Sequence, residues 1–140
     1  MMNGLSEGTY RQILVIYKPD DIALAMETTR TIAAQSGFSE HDSILLQLVT
    51  EEACMNAFEH GCPAGNCMFK ITWVVESDIM EITVCQNGEA FELHNDPASP
   101  VKVGSRGRGL VLIQGIMDEV RLIPSGANVT LSMRRRRRVK

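Results

Sequence analysis

Apolar positions along the chain change their period several times, and each change marks an element. RQILVIYK at 11–18 is a β-branched, apolar run and reads as a strand. From Pro19 and Asp20 to Ser36 the period lengthens to that of a helix. Ile22, Met26, Thr29 and Ala33 fall on one side, and Gly37 supplies the stop. SEHD at 39–42 has the S-x-x-D form of a capping box, so a second helix is expected from just after Ser39 to His60. Its expected core positions are Ile44, Leu45, Leu48 and Val49, then Ala53, Met55, Ala57 and Phe58, with Gly61 and Pro63 ending it. Two strand patterns, 69–77 and 80–86, meet at Ser77-Asp78 as a hairpin. A helix over 109–120 then precedes strands at 119–124 and 127–133, which turn at Ser125-Gly126.

Between these patterns, residues 87–107 have little periodicity, with several glycines and two prolines. A loop of that length in a compact domain is usually functional or mobile. The order β-α-α-β-β-loop-α-β-β predicts an α/β (α+β) two-layer sandwich, with a mixed, mostly antiparallel sheet and three helices on one face. At 140 residues, with neither repeat nor linker, the chain reads as one domain.

Composition narrows the function classes. With 44% apolar and 22% charged residues the chain is an ordinary soluble sequence, and no apolar run approaches the roughly 20 residues that span a bilayer. The first residues, MMNGLSEGTY, have no basic-then-apolar pattern of a secretion signal, so a cytoplasmic protein without a membrane partner is expected. The net charge is −3, yet Arg134–Lys140 contributes +6, which leaves −9 on residues 1–133. An acidic body of this kind argues against direct nucleic-acid binding. The basic run at 134–140 reads as a solvated strand end and tail. Cys54 and Cys85 sit in apolar patterns as small core residues, and His60, Cys62 and Cys67 lack a fourth zinc ligand at any standard spacing.

Three segments carry candidate chemistry. EEACMNAFEHG at 51–61 puts Glu52, Asn56 and His60 at intervals of four on one helix face. An Asn amide oxygen suits the hard-oxygen shell of Mg²⁺, and a carboxylate one turn away suits a general base beside a phosphate. QNGEAF at 86–91 is a glycine turn where Gly88 permits close backbone approach to a flat ligand. GSRGRGL at 104–110 runs into a helix, and its glycines with Arg106 and Arg108 have the makings of an anion cradle. Singly, each has a plain structural explanation; their order along the chain is what points to one ligand.

Together the segments resemble the GHKL ATPases. EEACMNAFEHG resembles their N box in the form typical of the small anti-sigma-factor serine kinases, VCQNGEAFE their first glycine box, and GRGLVLIQGIMDEVRL their second box and following strand. The resemblance implies the Bergerat sandwich and an Mg²⁺-ATP-dependent serine kinase. Its partners would be a sigma factor and a STAS-type antagonist, and dimers are common in that family. It implies Glu52 as general base, Asn56 as Mg²⁺ ligand, Gln86 and Gly88 at the adenine turn, and Gly107 and Gly109 at the phosphates. Arg108 is added to the phosphate side on electrostatic grounds. Where the family has Asp, this chain has Gln86, longer by a methylene and uncharged, a change worth roughly 1 kcal/mol at a hydrogen bond to adenine. Gln86 and Ala127 leave open an alternative: a binding module of the same fold without efficient nucleotide use.

Overall fold

The computed structural model describes residues 9–60, 68–87, 105–125 and 128–138. Along the chain these form β1 (Thr9–Ile16), α1 (Asp21–Gln35), α2 (Glu40–His60), β2 (Phe69–Glu76), β3 (Ile79–Asn87), α3 (Ser105–Ile116), β4 (Glu119–Ser125) and β5 (Asn128–Arg136). The strands make one five-stranded sheet in the order β1-β2-β3-β5-β4. Every neighbouring pair is antiparallel, so the mixed component expected from sequence is absent among the described strands.

Period-two alternation decides which face is covered. In β2, Phe69, Ile71, Trp73 and Val75 are buried. Their register partners Met80, Ile82 and Val84 in β3 lie in the same core, as do Leu131 and Met133 one strand further on. Ala25, Ile32, Leu46, Val49, Ala53, Ala57, Ile113 and Met117 join that single core from the three helices. The other face carries Glu81 and Arg134 and leaves Ile13 and Ile123 exposed. This is the two-layer sandwich expected from the element order.

Local signals worked where the backbone demanded one residue. Gly37 follows α1 with φ +87°, a conformation that side chains resist. Ser39 Oγ accepts the Asp42 N–H at 3.1 Å, so Ser39 caps α2 as predicted. The Asp42 carboxylate does not complete the box. It is buried and takes Arg135 at 2.9 Å.

Three expectations are corrected. Ile44 and Met55 are exposed, while Leu46 takes a core position and Cys54 is buried as expected, because α2 carries apolar residues on more than one side. The third helix starts at Ser105 rather than 109 and stops at Ile116. After it, the Asp118 N–H pairs with the Arg134 carbonyl and begins the β4 ladder. Nor is the basic run a solvated tail: β5 continues to Arg136, and Arg135 is buried. Arg135 lies in the inward register of Val129, Leu131 and Met133, where it donates to the Ile116 carbonyl at the end of α3 as well as to Asp42. Arg136 forks onto both oxygens of Asp78, Arg138 pairs with Asp118, and Arg134 lies between Glu81 and Glu119.

A buried polar chain ties the two layers together. Trp73 Nε1 donates to Thr29 Oγ1 at 2.8 Å, Thr29 and Thr50 hydroxyls share a 2.7 Å bond, and Thr50 Oγ1 donates to the Leu46 carbonyl at 2.8 Å. Donors and acceptors balance if Thr29 donates to Thr50. A β2 ring, the middle of α1 and the middle of α2 are thereby fixed to one another.

Candidate nucleotide site

The last turns of α2 turn two different faces to their neighbours. Ala53 and Ala57 sink into the core, and their small size lets the helix lie close to the sheet. Phe58 meets Phe69 edge-to-face, with ring centroids 5.1 Å apart. Phe69 in turn is the register partner of Gln86. The end of β3 that leads to the glycine turn is therefore at the same end of the sandwich as the last turns of α2.

On the side facing α3, Glu52 and Asn56 are one turn apart. Asn56 is 2% exposed, and its Nδ2 is a buried donor without a hydrogen-bond partner. Such a group is costly unless something else completes it. Glu52 is half-buried; burial first, then the neighbouring Glu51 and Glu59 carboxylates, hold its carboxyl above the ordinary value of 4.5. A carboxylate so placed is a stronger proton acceptor than a free one.

α3 reaches this pair through a glycine. Its inward face holds Ile113 in the core, followed by Met117 just past the helix end, and one turn before Ile113 the same face arrives at Gly109. Gly109 is buried, and a Cβ built on it would lie 2.7 Å from Glu52 Oε1 and 3.1 Å from Asn56 Nδ2. The first and third of the three sequence motifs, the two that lie on helices, thus meet in space.

The remaining predicted residues are placed less fully. Gln86 is in β3, with its backbone paired between Phe69 and Val129. Gly107 and Arg108 belong to the first turn of α3. Gly88 and Ala127 lie outside the described residues, as do the side chains of His60, Gln86 and Arg108. Sequence reasoning missed the groove on the opposite side of α2. Ile22, Met26, Met55 and Phe58 line a cavity of about 440 Å³ there, rimmed by Glu51 and Glu59. The signal was Met55, which breaks the pattern of small residues in that turn.

The residues present fit a hard cation held jointly with phosphate oxygens. Asn56 has an unpartnered amide nitrogen, and turning that amide would bring its oxygen to the same place; Glu52 offers carboxylate oxygens, and the glycine backbone stands against both. Among the described residues no cluster of three or more His, Cys, Asp or Glu forms a self-contained metal cage.

Fold and site together define a histidine kinase-like ATPase domain, and the family model of that description matches residues 17–135. Among similar proteins is a serine-protein kinase RsbW of Bacillus licheniformis, 32% identical over 126 residues, covering 82% of this chain and 79% of the relative. The serine-protein kinase RsbW of Bacillus subtilis strain 168 is 26% identical over 134 residues, covering 89% and 83%. The structure of the RsbU and RsbW domains of Rv1364c from Mycobacterium tuberculosis superposes with a TM-score of 0.64 at 16% identity. It covers 90% of this chain and 32% of that longer one, a likeness of fold. The chain belongs to the histidine kinase-like ATPase family, on its branch of RsbW-type serine-protein kinases.

Proposed function

We propose that this protein is an Mg²⁺-ATP-dependent serine kinase and anti-sigma factor, switched between a sigma factor and a STAS-type antagonist in the cytoplasm. The observation that carries the reading is the meeting of Gly109 with Glu52 and Asn56, which joins two ATPase motifs in one place. Mg²⁺-ATP supplies the phosphoryl group and the compensating charge when bound. Asn56 would hold the ion through its amide oxygen with the side chain turned from the present orientation, in which its amide nitrogen is unpartnered. Glu52 Oε1 takes the proton of the attacking serine hydroxyl, and its raised basicity suits that task. The early N–H groups of α3 around Gly107, with Arg108, stand on the phosphate side. Gln86 and Gly88 read the base. The test is transfer of labelled phosphate from Mg²⁺-ATP to a STAS-type protein by the purified chain; a chain that binds the antagonist yet never labels it fails as a kinase.

A second reading, a module that sequesters its partner without efficient catalysis, is favoured by Gln86. Replacing Gln86 with Asp restores a charged acceptor and is expected to tighten ATP binding by roughly 1 kcal/mol, with no gain for GTP. Calorimetry of both nucleotides on parent and variant separates the readings. An Asp variant that binds ATP no better removes Gln86 from base recognition.

A further inference from the structure

We infer that Gly109 is a positioning residue: its missing side chain sets how closely α3 lies against α2, and so where Glu52 and Asn56 are held. The inference rests on the kinase reading for its catalytic consequence, but its structural half stands alone. α3 contains two glycines whose surroundings are described, and they differ. A Cβ at Gly109 would meet Glu52 Oε1 at 2.7 Å and Asn56 Nδ2 at 3.1 Å; a Cβ at Gly115 would meet nothing within 4 Å. Glycine inside a helix is unfavourable relative to alanine, so neither position is glycine for the helix's sake. Only at 109 would a side chain press on its neighbours.

Helix geometry separates Gly109 from the phosphate contacts as well. The N–H groups without an intrahelical acceptor are those of the first turn, and with α3 starting at Ser105 this set takes in Gly107. Gly109 lies beyond it, with its N–H committed to the helix. What it offers the site is closeness rather than a donor. The two contacts would also respond differently to an added methyl. Glu52 Oε1 is the far end of a flexible, half-exposed side chain and swings aside; Asn56 is enclosed and yields by tenths of an ångström. An alanine at 109 therefore re-aims the pair more than it unfolds the helix.

The experiment compares the full-length parent with Gly109→Ala and Gly115→Ala. In the nucleotide-free chains, G109A is expected to shift the side-chain amide resonances of Asn56, and G115A to leave them in place. With Mg²⁺-ATP and a protein substrate, G109A is expected to lower kcat by tenfold to about a hundredfold, as a Glu52 carboxylate swung aside by about 1 Å does. ATP affinity should stay within about threefold of the parent. Unmoved Asn56 resonances in G109A, or equal shifts in G115A, would overturn the inference. So would a loss of ATP affinity with kcat intact, which would return Gly109 to phosphate contact. A parent that transfers no phosphate sinks the kinase reading alone, because the resonances still decide the structural half. If G109A melts early, adding Glu52→Ala removes the nearer clash and is expected to restore the melting temperature; no recovery refutes the contact.

Discussion

The two halves of α2 bury polar groups in opposite ways. In the first half, Asp42 is paired with Arg135, and Thr50 is one link in a chain from Trp73 to a backbone carbonyl. In the second half, Asn56 is as deeply buried but its Nδ2 has no partner, and burial with two neighbouring carboxylates raises the Glu52 pKa. The same helix thus serves as scaffold and as site. A buried polar group that is satisfied stiffens the fold; one left open marks where a ligand completes the structure.

The largest effect is expected at the open end. Glu52→Gln should lower phosphoryl transfer by about 10²–10⁴-fold, the range of general-base contributions, with ATP affinity nearly unchanged by calorimetry. Transfer at the parental rate would remove Glu52 from that role. At the closed end, Arg135→Ala leaves Asp42 buried without its counter-ion and the Ile116 carbonyl without its donor. Denaturant unfolding should report a loss of about 3–5 kcal/mol. Truncation from Arg134 onward should be at least as harmful, contrary to the solvated tail read from sequence.

Thr50→Val interrupts the hydroxyl chain and should cost about 1–3 kcal/mol of stability without touching nucleotide affinity. Combined with Thr29→Val, its cost should be less than additive, since both break one chain. Asn56→Ala is the counterpart. It removes a donor already unsatisfied, so stability of the ligand-free chain should change by less than about 1 kcal/mol, while the Mg²⁺-dependent part of ATP affinity disappears. If Asn56→Ala destabilises as much as Thr50→Val, the two halves are not different in kind.

The smallest effect is a pH dependence. Because the folded protein raises the Glu52 pKa above 4.5, its contribution favours folding at low pH and is lost as pH rises through the raised value. Glu52→Gln should therefore be slightly more stable than the parent near neutral pH and equal to it below the ordinary carboxylate range. The carboxylate is only partly buried, so screening keeps the difference to a few tenths of a kcal/mol at roughly the level of exposed pairs. Melting curves at both pH values check the sign.

The helical and hairpin outline was legible because its signals are local. Gly37, Ser39 and the Ser77-Asp78 turn each act within a few residues, and the Glu52–Asn56 spacing is a property of one helix. What escaped was set by distant partners. Arg135 looked like one of five equivalent arginines, although its parity with Val129, Leu131 and Met133 was visible in NVTLSMRRR. Thr29 was placed on the core side of its helix, but nothing local announces Trp73, 44 residues later, as its donor. The start of α3 was missed because Gly107 and Gly109 read as loop residues, whereas close packing on α2 can override weak helix propensity.

Cys54 lies between Glu52 and Asn56, fully buried, with its thiol pushed up to about 12 by that burial. Both conditions protect it from electrophiles, which attack only the thiolate that reaches solvent. Its alkylation rate is therefore a clock for local opening of the Glu52–Asn56 segment, read without any added probe. Cys85 is half-buried and should react sooner, so replacing it, Cys62 and Cys67 with serine isolates the signal. A ligand that bridges the residues on either side of Cys54 should slow the clock in proportion to its occupancy, whether or not phosphate is ever transferred.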